Sequence, residues 1–242
     1  MPARTKLIIS ERAFTDSALK DSKLITSRLI NKLIPFSYRN ANYVHCLTKR
    51  IARDIMNRYR VPKEKVVVIP NFVNISSIEK KAEEELNCKD NKYFFDKPYI
   101  VSMGRLHNQK GFTFLLRAYS KISNQIPHNL IILGEGPLLS ELKNQVKELN
   151  LEKKVFFPGF IKNPYPILKK SKLFILSSLY EGMPNALLEA ISLRVPIISS
   201  DCPSGPREIL GENYKELLYY PKDTVSLSRL IIKQINKPIK IP

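Results

Sequence analysis

The sequence predicts an α/β protein built on parallel sheets, and three observations carry that prediction. Short apolar runs recur from Pro98 onward, among them Leu130-Ile131-Ile132-Leu133 and Leu173-Phe174-Ile175-Leu176. Runs that are apolar at every residue read as strands buried on both faces. Amphipathic helical stretches separate them, so strand and helix alternate. Turn residues then cluster just after the strands, as in Gly104, Gly134-Glu135-Gly136-Pro137 and Gly159. Alternating strands and helices fold as a parallel sheet covered on both faces, and right-handed crossovers make it doubly wound. Ligands of such sheets sit at the C-terminal ends of the strands.

In chain order, Lys6–Ser10 reads as a short strand ending on Ser10-Glu11-Arg12. Residues 18–34 carry Leu19, Leu24, Ile25, Leu29, Ile30 and Leu33 at near-helical spacing among Lys20, Lys23, Arg28 and Lys32. That is an amphipathic basic helix, and Pro35 is expected to stop it. Tyr43–Leu47 is a second strand, Thr48 caps a helix over 49–59, and Val66–Ile69 is a third strand ended by Pro70-Asn71. Residues 74–97 lose any sustained period and read as a linker holding a helical turn or two. The expected domains are therefore 1–73 and 98–242, with 74–97 between them. In the second, strands at 99–102, 130–133, 155–157, 173–176, 196–199 and 217–219 alternate with helices at 111–123, 137–150, 164–171, 184–194, 206–210 and 225–236.

Composition narrows the function classes. The 242 residues are 43% hydrophobic, enough for a sizeable core, and no apolar run approaches the roughly 20 residues that span a bilayer. Cys46, Cys88 and Cys202 are scattered, as are His45, His107 and His128, which argues for a reducing compartment and against a metal cage. Net charge is +18, and residues 1–65 hold 15 Lys/Arg against 5 Asp/Glu. Such an excess implies an anionic partner: a nucleic acid, a membrane surface or a phosphorylated substrate. A general enrichment in surface lysine gives the same total.

The stretch Tyr180–Ala190 holds the densest chemistry. It is a strand end, a tight loop with Glu181, Gly182 and Pro184, and a helix that carries Glu189. Eight residues are close to two helical turns, so the two carboxylates can lie near one face. The open N–H groups and dipole at a helix start suit a phosphate, and the carboxylates suit sugar hydroxyls. Alone, the stretch is equally one more strand–loop–helix unit with two solvated glutamates. Gly104-Arg105-Leu106 with Lys110-Gly111 puts two cations on another strand end, without the glycine spacing of a Walker loop. Arg105 offers a planar fork and Lys110 a point charge, a pair that can hold a diphosphate. Gly134-Glu135-Gly136-Pro137, Gly159-Phe160-Ile161 and Asp201–Glu208 follow three further strands. Each loop is weak evidence; five on one sheet edge are strong.

This set, in this order, resembles the family 4 retaining glycosyltransferases, on Gly104-Arg105-Leu106 with Lys110-Gly111, Gly134–Pro137, Gly159-Phe160, and Glu181 with Glu189 as an E-x7-E pair. The Ser204–Glu208 loop is similar to that of members building lipid-linked oligosaccharides and surface polysaccharides. The resemblance implies a GT-B fold, two Rossmann-like domains with the site between them, and transfer of a hexosyl or N-acetylhexosaminyl group from a UDP-sugar with retention. It implies no cofactor and no metal. Arg105 and Lys110 would hold the donor diphosphate and, with Glu181, form the catalytic set. Glu181 would meet the donor sugar and Glu189 the ribose. Phe160 and Ile161 would lie by the base, and Gly104, Gly182, Met183, Asn185 and Ala186 would complete the donor site. Glu11 and Arg12 would face the acceptor, Arg12 standing where some relatives have His. The implied partners are a lipid-linked or saccharide acceptor and an anionic membrane, with the protein peripheral at the cytoplasmic face and no nucleic acid bound.

The likeness departs from the family before residue 73. No glycine precedes Gly104, and the strand and glycine-rich loop with which members begin are missing. The first domain is therefore expected to be partial, with exposed strand edges and apolar faces. Two alternatives stand beside the transferase: a donor-binding remnant without turnover, and a basic nucleic-acid-binding protein lacking any recognised motif.

Overall fold

The computed structural model describes residues 5–13, 26–85, 94, 96–239 and 241. They form two parallel sheets. The first has strands β1 (Ile8–Glu11), β2 (Tyr43–Cys46) and β3 (Val66–Val68) in the order β1-β2-β3, with Ile9 opposite Val44 and Val44 opposite Val66. Helices α1 (Thr26–Asn40) and α2 (Lys49–Tyr59) link them. Alternation along β2 buries Val44 and Cys46 against Ile51, Ile55 and Tyr59. Ile8, Tyr43 and Val67 are exposed, so this small sheet carries uncovered apolar surface.

Helix α1 corrects the sequence expectation. It runs through Pro35 to Asn40, while residues 18–25, with Lys20 and Lys23, lie outside the described residues. A proline inside a helix loses one backbone bond and costs about 3 kcal/mol. The turn beyond it is anchored by Tyr38, which is buried and stacked on Tyr59 at 5.2 Å, and by Ser37 Oγ, which donates to the Leu33 carbonyl at 3.1 Å. Burying one aromatic ring offsets much of that cost.

Helix α3 (Ile75–Ala82) follows, capped by Asn74. It packs on the second domain, where Asn163 Nδ2 donates to the Lys81 carbonyl at 2.9 Å.

The second sheet has six parallel strands: β4 (Tyr99–Met103), β5 (Asn129–Leu133), β6 (Val155–Gly159), β7 (Leu173–Leu176), β8 (Ile197–Ser200) and β9 (Leu218–Tyr219). Their order is β6-β5-β4-β7-β8-β9. Every residue of β4, β5, β7 and β8 is buried, as the continuous apolar runs required. Alternate side chains feed two cores. Ile100, Leu130 and Ile175 pack with helices α4 (Phe112–Ser120), α5 (Leu139–Glu148) and α9 (Thr224–Asn236) on one face. Val101, Ile131 and Phe174 pack with α6 (Tyr165–Lys170), α7 (Asn185–Ser192) and α8 (Pro206–Leu210) on the other. The sheet grows outward in both directions from the β4–β7 pair, so the topological switch, where a crevice opens at the strand ends, lies between those two strands.

Candidate functional site

A cavity of about 510 Å³ opens at the switch point, lined by the loops after β4, β5, β6 and β7. The loop after β4 supplies Gly104, Arg105 and Lys110. Close packing of this loop on the next one depends on Gly134, whose φ is +130° and where a Cβ would overlap the Gly104 carbonyl. Arg105 is exposed on the rim and has no acidic partner among the described residues. Lys110 turns inward, and its Nζ lies 2.6 Å from Glu181 Oε1, with the two side chains 18% and 9% exposed. Ser178 Oγ donates to the same oxygen at 2.6 Å. The Glu181 carboxylate is thus buried, but with a counter-charge and a second donor, as a buried carboxylate requires.

Helix α7 opens directly on the cavity through Asn185 and Ala186, and one turn in, Glu189 lines it too. Pro184 precedes the helix instead of forming its first residue, since it sits at the capping position with φ −74° and ψ 106°. Burial pushes the Glu189 carboxyl above the usual carboxylate range, opposed by a weak hydrogen bond from the Tyr165 hydroxyl at 3.5 Å. A ligand hydroxyl donating to Glu189 would restore the solvation that burial removed. Phe160 is 71% exposed at the rim beside Ile161, and its backbone N–H donates to Glu135 Oε1 at 3.3 Å. An exposed ring at a cavity mouth is a surface on which a planar base can stack.

The cavity therefore gathers Gly104, Arg105, Lys110, Phe160, Ile161, Glu181, Met183, Asn185, Ala186 and Glu189. Gly182 is not among its lining residues. It faces the first domain, where a Cβ would overlap the Arg12 carbonyl. Glu11 and Arg12 do not line it either. Glu11 accepts a hydrogen bond from the Tyr38 hydroxyl, and Arg12 meets the Glu181–Met183 loop through its backbone. Glu135, Ser178, Tyr165 and Asn71 escaped the sequence reading as site residues. Asn71 Nδ2 reaches Asn185 Oδ1 at 2.8 Å and the Met183 carbonyl at 3.3 Å, tying the end of the first sheet to the α7 loop. The only sequence signal for Asn71 was its place after the third strand, and for Glu135 its place in a strand-end glycine loop.

The domain seam continues away from the cavity. Thr48 Oγ1, which caps α2 by accepting from Ile51 N at 3.1 Å, lies 2.7 Å from Ser204 Oγ. Glu208 spans the seam, accepting from the N–H groups of Lys49 at 2.9 Å and Arg50 at 3.2 Å.

Comparison with known proteins places this geometry. The family model described as Glycosyl transferases group 1 matches residues 83–241, and that described as Glycosyltransferase Family 4 matches residues 7–77. The chain belongs to these glycosyltransferases. An uncharacterized glycosyltransferase of Methanocaldococcus jannaschii is 34% identical over 90% of this chain and 54% of its own length. The N-acetylgalactosamine-N,N'-diacetylbacillosaminyl-diphospho-undecaprenol 4-alpha-N-acetylgalactosaminyltransferase of Campylobacter jejuni is 33% identical over 89% of this chain and 56% of its own. Among solved structures, Anabaena HepE in complex with UDP-glucose has a TM-score of 0.79 at 18% identity, covering 96% of this chain and 63% of that one. The fold of this glycosyltransferase is GT-B, as the parallel sheets and these likenesses show. The chain spans about half the length of the curated relatives it matches.

Proposed function

We propose that this glycosyltransferase moves a hexosyl or N-acetylhexosaminyl group from a UDP-sugar to a lipid-linked or polysaccharide acceptor, with retention of anomeric configuration. One observation carries the proposal: Arg105, Lys110, Glu181 and Glu189 surround one cavity at the switch point of the sheet. A diphosphate between Arg105 and Lys110 would put the ribose toward Glu189, the base toward Phe160 and the sugar toward Glu181. As the bond from the anomeric carbon to the diphosphate breaks, negative charge grows on the leaving group. Lys110, held by Glu181, the opening turn of α7 and the Arg105 fork at the rim would meet that charge, so they would stabilise the transition state more than the bound donor. The acceptor hydroxyl forms the new bond and its proton passes to the leaving diphosphate.

The Campylobacter relative, by its name, works on an undecaprenol-linked sugar, and HepE was solved with UDP-glucose, which supports the donor and acceptor classes. Arg105 and Lys110 supply the positive charge at the diphosphate, so transfer is expected to proceed without a metal ion. Among the described residues no helix is long and apolar enough to cross a membrane. A lipid-linked acceptor together with the net charge of +18 favours peripheral attachment to the anionic cytoplasmic face of a membrane. The test is transfer from a panel of UDP-hexoses and UDP-N-acetylhexosamines to undecaprenyl-diphosphate-linked sugars, with EDTA present. Product of retained configuration is expected; no transfer and no UDP release with any donor would overturn the proposal.

A further inference from the structure

A second cavity, of about 450 Å³, lies in the domain seam between the start of α2 and residues 202–208. Its lining includes Ser204, whose Oγ donates to the carbonyl of Gly182, the neighbour of Glu181 in the chain, at 3.2 Å. The first two turns of α2 line one side with Lys49, Arg50 and Arg53. Residues three and four apart share a helix face, which brings these three charges together. All three side chains are exposed, and none has an acidic partner within ion-pair distance among the described residues. The one carboxylate in the lining, Glu208, already accepts from the N–H groups of Lys49 and Arg50. The fourth cation, Arg207, is held by Asp201, with Nε 3.1 Å from Oδ1.

The helix end is thus capped by Glu208, and among the described residues lining the cavity that single carboxylate faces three cations without an ion-pair partner, an excess of positive charge. Such a cluster raises the energy of the free protein and lowers that of a complex with a multiply charged anion. The charge suits a polyanionic group: one or two phosphates met by the Arg50 and Arg53 forks and the Lys49 ammonium.

We propose that this seam cavity is a second phosphate-binding site, distinct from the donor site, that takes a phosphate or diphosphate group. The diphosphate of a lipid-linked acceptor and a soluble phosphate ester offer the same chemistry. Assigning the site to an acceptor rests on the transferase proposal; the anion site itself does not.

The experiment uses the whole chain saturated with UDP, which occupies the donor cavity, and titrates inorganic diphosphate into wild type and R50Q/R53Q by calorimetry. Both arginines are exposed, and equal melting temperatures and equal UDP affinities check that the variant retains its fold. Inorganic diphosphate is expected to bind wild type and to bind the variant at least about tenfold more weakly, the worth of one lost charge-assisted contact. Absence of binding to UDP-saturated wild type, or equal affinity in the two proteins, would overturn the site. Should UDP itself fail to bind, the donor proposal falls, while the difference between the two proteins for inorganic diphosphate still decides this one. A water-soluble short-chain prenyl diphosphate then identifies the source. Tighter binding than inorganic diphosphate, lost in R50Q/R53Q, supports a lipid acceptor; equal or weaker binding, likewise lost, supports a soluble phosphate ester.

Discussion

Replacing Glu181 with Gln is expected to tighten UDP binding while abolishing transfer. In the free protein the Lys110 ammonium lies 2.6 Å from the Glu181 carboxylate, both largely buried. A donor diphosphate must compete with that carboxylate for the same cation. At an effective dielectric of about 20, the raw attraction at this distance is about 6 kcal/mol, but desolvation of both ions cancels most of it. Binding also exchanges one anion for another and does not simply lose the contact. A net penalty of about 1–2 kcal/mol remains, so Glu181→Gln should lower the UDP dissociation constant about five- to thirtyfold. Glutamine keeps the shape and can still accept from Ser178, so the fold is expected to survive. Lys110→Ala acts in the opposite sense twice over. It removes a proposed diphosphate ligand, and it strands a buried carboxylate, at a stability cost of about 3 kcal/mol. Much of that stability should return in the Lys110→Ala/Glu181→Gln double variant, which no longer buries an unpaired charge. Calorimetric titration with UDP and thermal melts of the four proteins make the measurement. A tenfold or greater loss of UDP affinity in Glu181→Gln would refute the reasoning, because Glu181 would then be a ligand of the nucleotide and not the resident counter-ion of Lys110.

Two further outcomes follow from the site. Burial raises the Glu189 carboxyl pKa, so the folded state holds this proton more tightly than the unfolded chain. The resulting stability is fully present below the ordinary carboxylate pKa and is lost as pH rises through the raised one. Glu189→Gln lacks that loss, so melts across pH should match wild type in acid and show a higher melting temperature at neutral pH; a lower one at neutral pH would contradict this. UDP affinity should nevertheless fall in this variant, since the ribose loses a charged acceptor. Gly182→Ala would drive a Cβ into the Arg12 carbonyl across the domain seam, with a destabilisation of about 1–3 kcal/mol read by denaturant unfolding. An unchanged midpoint would show that the seam gives way freely.

Much of this architecture is legible in the sequence because it depends on local pattern. Strands such as Leu130–Leu133 announce burial on both faces by being apolar throughout, and Thr48 announces its cap by residue type and position. The loops that line the cavity are legible for a related reason. Glycines with positive φ, such as Gly134, and charged side chains such as Arg105 and Lys110 have few uses at a strand end. What stayed hidden depends on tertiary contact. Pro35 should end a helix by local rules, and the burial of Tyr38 three residues on, with the Ser37 bond to the Leu33 carbonyl, carries α1 past it. Strand order, and with it the switch between β4 and β7, leaves no mark on any single stretch. Gly182 belongs to the loop of the E-x7-E pair yet turns to the seam, because the contact it makes is with a residue 170 positions away, Arg12. Ser178 and Tyr165 are ordinary strand-end and helix residues until the fold puts them beside Glu181 and Glu189.

The most direct test of the account is a calorimetric titration of UDP, ADP and GDP into wild type and Arg105→Ala. Arg105 is exposed on the rim without an acidic partner among the described residues, so its removal should take away the proposed ligand contact and little stability. The account predicts saturable one-to-one binding of UDP to wild type, tighter than that of ADP or GDP. It predicts a loss of about 1.5–3 kcal/mol, roughly ten- to hundredfold, in Arg105→Ala at an unchanged melting temperature. Absence of saturable binding, or the same dissociation constant for UDP in both proteins, would contradict the claim that this cavity holds the donor diphosphate.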